Sequence, residues 1–165
     1  MESVGKAFLE ESRYRFESCF MRLFHCLDQI NENQVWWKPD ERMNSIGILI
    51  KHLCGNLRQW TVIQMNNSQD LRNRDEEFKD EKKSSMEELK NLLKEIKEDF
   101  ISAVDNFDPA RLGEPKFIQG FNVTILTAMY HSLTHLEEHL GQIIFLTRLQ
   151  LGDNYKIFSW QKHGH

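Results

Sequence analysis

The sequence predicts an all-α fold, a four-helix bundle, on three observations. Apolar residues recur at spacings of three and four in four long stretches, no stretch shows a credible alternating strand pattern, and 165 residues suffice to bury one continuous core. The first helix spans about Ser3 to Ile30, with Phe8, Ser12, Phe16, Cys19, Phe20, Leu23, Phe24, Leu27 and Ile30 at helical spacing, and ends before Asn31-Glu32-Asn33. Trp36-Trp37-Lys38-Pro39 reads as a connector, because Pro39 pushes Lys38 out of helical geometry. The second helix runs from about Ser45 to Gln64, with Ile46, Leu49, Leu53, Leu57 and Trp60 on one face. From Asn66 to Lys83 the chain turns polar and charged, long for a loop and able to cross the bundle, so helix order stays open at this level. The third helix opens with a capping box at Ser85-Met86-Glu87-Glu88 and runs to about Asn106, burying Leu89, Leu92, Leu93, Ile96, Phe100 and Ala103. Asp108-Pro109 and Gly113-Glu114-Pro115 mark a connector to about Gly120. The fourth helix spans about Asn122 to Leu151 and stops at Gly152-Asp153. The tail, Asn154 to His165, carries Tyr155, Phe158 and Trp160 and is expected to pack down.

We expect one domain covering residues 1–165, with no internal repeat or low-complexity tract. A net charge of −4 and the lack of a Lys/Arg stripe exclude a general phosphate-binding surface, so nucleic acid is not an expected partner. No apolar run approaches the ~20 residues that span a bilayer, and Met1 to Lys6 lacks a signal-peptide stretch, so no membrane partner and a cytoplasmic location are expected. Cys19, Cys26 and Cys54 are odd in number and sit in apolar helical patterns, which reads as reduced core thiols. The Asn66 and Asn122 glycosylation patterns then carry no weight.

Chemistry concentrates in histidines. His131, His135 and His139 form one ridge of the fourth helix, and His52 lies on the second. At 100° per residue both sets flank the apolar stripes, about 120° from the core centre for His135 and about 100° for His52, which suggests a cleft open to solvent. Two imidazoles four residues apart can reach one metal ion from consecutive turns, yet such pairs also occur on ordinary solvated helices. His25 reads as a satisfied boundary residue, and His163 and His165 belong to the tail. His135-Leu-Glu-Glu138-His139 also matches the inverted zinc-protease pattern, which would make Glu138 a general base; that pattern belongs to another fold and is discounted.

The segment His135-Leu-Glu-Glu-His139-Leu-Gly141-Gln142-Ile143 resembles the fourth-helix signature of the DinB-like, or YfiT-like, metalloenzymes. Ile48-Leu-Ile-Lys-His52-Leu-Cys-Gly-Asn56-Leu-Arg-Gln59-Trp60 is similar to that family's second-helix segment bearing the first ligand. Trp37-x-Pro39 and Arg72-Asn-Arg-Asp-x-Glu-Phe78 further resemble a bacterial subgroup of the superfamily. The resemblance implies an up-down-down-up bundle with a long crossover from the second to the third helix. It also implies a divalent metal held by His52, His135 and His139, with zinc or nickel the first candidates and iron or cobalt the next. His131 departs from the pattern and would be a competing ligand, a supporting group or a solvent-facing residue. Three imidazoles with an open position form a catalytic arrangement in which bound water or thiol loses its proton near neutral pH.

Asn56 and Gln142 each lie one turn from a ligand and could orient an imidazole or a metal-bound group. Cys54 sits about 200° round the helix from His52 and reads as core. Arg72 or Arg74 could bind a substrate carboxylate, against the blander alternative that their loop braces the bundle through its own salt bridges. The resemblance implies a metal-dependent S-transferase using a low-molecular-weight thiol, with a metal-dependent hydrolase or a non-catalytic, stress-associated metal-binding dimer as alternatives. A homodimer is also expected from Ile48 and Ile63, which lie off the main stripe near the His52 side, unless other helices or the tail cover them.

Overall fold

A computed structural model describes residues 2–78 and 83–159. Helix α1 covers Glu2–Leu27 and is followed by a single turn, α2, at Glu32–Val35. That turn is closed by a capping box, Asn31 accepting from the Gln34 backbone while the Gln34 side chain accepts from the Asn31 N–H. Helix α3, Ile46–Leu57, starts at a Ser45 N-cap and continues through a π-helical turn, Arg58–Val62, into α4, Ile63–Asn66. Asn67, in the left-handed region at φ 51°, ends it. The crossover carries one turn of helix, α5 at Arg74–Glu77, before α6 at Met86–Asp105, whose expected Ser85/Glu88 capping box is present.

Beyond α6 the connector holds a 3₁₀ turn, Pro109–Gly113, and then a β-hairpin, β1 Pro115–Ile118 against β2 Phe121–Thr124, antiparallel with Ile118 opposite Phe121. The absence of strand expected from sequence is thus corrected. The two strands are four residues each and largely solvent-facing, so they show no clean alternation, and only the Gln119-Gly120 turn, both residues at positive φ, betrays them. The hairpin also moves the start of the last helix: α7 is Ile125–Leu151, capped by the Thr124 hydroxyl rather than beginning at Asn122.

Cross-helix contacts fix the directions. Arg13 and Phe16 of α1 and Asp28 just past its end meet Asp105, Phe100 and Lys90 of α6, so these helices are antiparallel. His52, Trp60 and Thr61 meet His135, His131 and Ser132, which makes α3 antiparallel to α7. The start of α3 lies by Trp36, which bonds Ser84 just before α6, and Arg58 pairs with Asp99; α3 and α6 are therefore parallel. The long helices run up-down-down-up, and α1 and α3 each pack on both α6 and α7. The parallel pair requires a connection that returns the length of the bundle. It does so along α3, with Asp70 on Gln59, Arg72 beside Gly55 and Glu77 on His52.

The core is one large apolar cluster through all four long helices, with a small second one of Trp60, Ile118 and Ala128 under the hairpin. Ile48 and Ile63 are 2% and 8% exposed, so the apolar surface expected there is already covered within the chain. Cys19, Cys26 and Cys54 are buried free thiols, as expected. The tail docks on the end of α1 as far as Ser159: His25 Nε2 bonds the Lys156 carbonyl at 2.6 Å, and Tyr155 and Phe158 meet its ring edge-on. Trp160, His163 and His165 lie outside the described residues. No helix among the described residues is long and apolar enough to cross a membrane.

Candidate metal centre

His52 projects from α3, and His135 and His139 from successive turns of α7, because the two antiparallel helices bring these ridges face to face. One ligand atom from each of the three lies within 4.8 Å of the others, so the group could hold a metal ion. The nearest pair, His52 Nε2 and His135 Nε2, is 2.9 Å apart. A tetrahedral ion with bonds of about 2.0–2.1 Å keeps its donors roughly 3.3 Å apart, so small side-chain movements suffice to admit one. His52 is buried, whereas His135 and His139 are half-exposed, so the group meets solvent on its α7 side.

Two of the rings are oriented from behind. His52 Nδ1 lies 3.0 Å from Glu77 Oε2, and His139 Nδ1 lies 2.9 Å from Gln142 Oε1. Both oxygens accept, so in each neutral ring the proton is assigned to Nδ1 and the lone pair to Nε2. Burial, helped by the neighbouring His139, His52 and His131 and by Arg72, pushes the His135 imidazole down to about 3. A ring kept neutral is the form that can donate to a metal.

Behind His52 stands a buried polar network in which only Arg72 had been given a role from the sequence. Arg72 holds Glu77 in a two-pronged pair, Nε to Oε1 at 2.6 Å and Nη2 to Oε2 at 2.7 Å. Arg72 Nη1 also donates to Gln59 Oε1, which accepts from Gln119 of the hairpin turn, while Gln59 Nε2 donates to Asp70. Burial pushes the Glu77 carboxyl up, but the hydrogen bonds from Arg72 and His52 and the charge of Arg72 outweigh that and hold it below the usual carboxylate range. Glu77 was part of the recognised Arg72–Phe78 motif; only the fold-back of the crossover, 25 residues on from His52, shows its partner.

The other anticipated residues sort as follows. Gln142 is in place on His139. His131 stays outside the group of three; it stacks on His135 at 5.6 Å and packs on Trp60 at 4.2 Å. Asn56 is 95% buried by its 5% exposure, on the same ridge as His52 and Trp60, and its Oδ1 has no hydrogen-bond partner among the described residues. An orphaned acceptor beside a histidine group fits a site that receives a proton-bearing group. Arg72 braces the chain's own Glu77, so the loop follows the salt-bridge alternative, and Arg74 lies over the Phe78 ring. Glu138 is exposed and is not among the converging donors.

The sequence matches, over residues 3–164, the family described as a protein of unknown function, DUF1572. No curated protein matches significantly. Among solved structures the fold is similar to a DinB-like protein from Bacillus cereus, with TM-score 0.67 and 15% identity over 87% of this chain and 90% of that one. A DinB-like protein from Bacillus subtilis gives 0.66 and 17% identity over 85% and 92%. A conserved protein from Enterococcus faecalis gives 0.60 and 18% over 92% and 98%. At these identities the likeness establishes the helical-bundle fold.

Proposed function

We propose that this chain, which belongs to the DinB-like family DUF1572, binds one divalent metal through His52, His135 and His139 and uses it in a transfer reaction of a low-molecular-weight thiol. The observation that carries the reading is the donor set: three imidazoles, His135 held neutral, and no carboxylate of the described residues among the converging atoms. Such a set suits zinc or nickel before harder ions, with iron or cobalt next. Bound there, the ion supplies an open coordination position that lowers the pKa of a thiol and holds its sulfur.

The chain's own residues then divide the remaining work. Gln142 fixes the His139 ring through its Nδ1 proton. The thiol reading is favoured over hydrolysis because a metal-bound hydroxide, although it forms near neutral pH, still calls for an acid or base beside the metal that relays a proton to the leaving group. Glu138 is exposed, and Glu77 lies behind His52 with both oxygens engaged by Arg72. A thiolate is already a nucleophile and needs no such base.

The test is a conjugation screen with a chromogenic aryl halide and small thiols, run with zinc, with nickel and after chelation. Metal-dependent thiol consumption that disappears in His135→Ala/His139→Ala is expected. Metal binding without thiol consumption, or consumption indifferent to chelation, overturns the reading.

A further inference from the structure

The crossover does more than connect two parallel helices. Residues 70–77 lie back along α3, and two of their side chains, Arg72 and Glu77, reach His52. Glu77 Oε2 meets His52 Nδ1 at 3.0 Å, and Arg72 holds both carboxylate oxygens. Arg72 Nη2 also approaches the His52 carbonyl at 3.4 Å, and the Phe78 ring lies 5.0 Å from the imidazole. Arg72 is in turn held by Gln59, which the π-helical turn carries and which Asp70 and the hairpin's Gln119 engage. The Arg72 and Glu77 side chains are 6% and 11% exposed, so this pair is built into the protein rather than laid on its surface.

Gly55 shows how closely the strap is fitted. A Cβ at that position would run into Glu77 Oε1 and stand 2.9 Å from Arg72 Nε. Only a residue without a side chain leaves room on α3 for the ion pair. The glycine's backbone is ordinary helix, so the requirement is one of space.

We propose that Glu77 is a positioning residue for the metal centre: by accepting a hydrogen bond from Nδ1–H of His52 it leaves Nε2 as the lone pair facing His135 and His139. On this account the docking of the strap on Gly55 sets the affinity for the metal. The inference rests on the reading that the three histidines bind a divalent ion, and it deepens that reading. A buried carboxylate behind a ligating imidazole fixes both ring orientation and tautomer and makes the nitrogen a stronger donor. Arg72 keeps Glu77 ionised and in register, and Gln59 ties that register to the hairpin.

The experiment uses the full chain and two readouts. The first is the side-chain ¹⁵N spectrum of His52 in chelator-treated protein, which reports which ring nitrogen carries the proton; the second is zinc affinity by competition with a chromophoric chelator. Glu77→Ala is expected to abolish the preference for Nδ1–H and to weaken zinc by about 10–100-fold. Glu77→Gln, whose carbonyl can still accept from Nδ1, should restore much of both. Gly55→Ala, which displaces the carboxylate without removing it, should change both in the same direction as Glu77→Ala. A merely structural role would lower the unfolding midpoint and leave the tautomer alone. The proposal is overturned if His52 keeps the same protonated nitrogen and zinc affinity stays within about twofold across the variants. Should Glu77→Ala fail to fold, Glu77→Gln and Gly55→Ala decide the matter. If the parent protein binds no zinc the metal reading fails, and the tautomer measurement on the metal-free chain still decides what Glu77 does.

Discussion

His135 is where burial and function meet most directly. Its imidazole is pushed from 6.5 down to about 3, with burial the largest cause and the adjacent histidines and Arg72 adding to it. Below pH 6.5 the unfolded chain takes up a proton that the folded ring refuses, so the metal-free protein must lose stability as the pH falls from about 6.5 toward 3. Glu77, also held below its ordinary value, adds a loss of the same sign at more acidic pH. The denaturation midpoint of chelated protein should therefore be lower at about pH 5.5 than at about pH 7.5, and His135→Gln should flatten the difference. Equal slopes in parent and variant would remove His135 as the source. Arg72 gives a second expectation at this scale. Deleting it leaves the Glu77 carboxylate buried without its partner, which costs about 3–5 kcal/mol when such a pair is broken from one side. Urea denaturation of Arg72→Ala measures that; a change under about 1 kcal/mol would show the pair to be no more than a surface bridge. The three clustered histidines were legible in the sequence because two share a helix ridge and the third sits in a recognisable helical segment. Glu77 was not, since its relation to His52 exists only once the crossover has folded back.

Among the elements, the long helices were legible for a physical reason: each buries a stripe that repeats every three or four residues over several turns, so the pattern accumulates. One-turn helices, the π-helical turn and a hairpin of two four-residue strands accumulate nothing. They arise from tertiary contacts, such as Gln119 reaching Gln59 and Thr61 bonding Ser132 at 3.0 Å, that no local period records. The Trp36-Trp37 connector is a further case. It is more than a break between helices, since the Trp36 ring lies flat against Gly47, where a Cβ would come within 2.8 Å of it, and its Nε1 bonds the Ser84 carbonyl. Gly47→Ala must therefore displace an aromatic ring 7% exposed, and a loss of about 1–3 kcal/mol by overpacking is expected from chemical denaturation. An unchanged or raised midpoint would mean that the connector repacks freely.

At the scale of the molecule, the up-down-down-up order explains why the site exists. With α3 antiparallel to α7, the sequence 52, 60, 61 runs against 135, 131, 132, so His52 meets the pair and Trp60 is left to cover His131. With α3 parallel to α6, the crossover has to retrace α3, and that brings Glu77 behind His52. The same register makes a definite statement about His131, the residue that departs from the family-like pattern. It stacks on His135 but its nitrogens are not among the three that converge, so His131→Ala should keep the metal stoichiometry of the parent. Loss of the metal in that variant would make His131 a ligand and would put His139 in question.

Metal content of the purified and zinc-reconstituted protein, measured by elemental analysis after desalting, tests the central claim most directly. One ion per chain in the parent, with little or none in His135→Ala/His139→Ala folded to the same helical content, is the expected result. Full occupancy in that double variant would contradict the three-histidine centre.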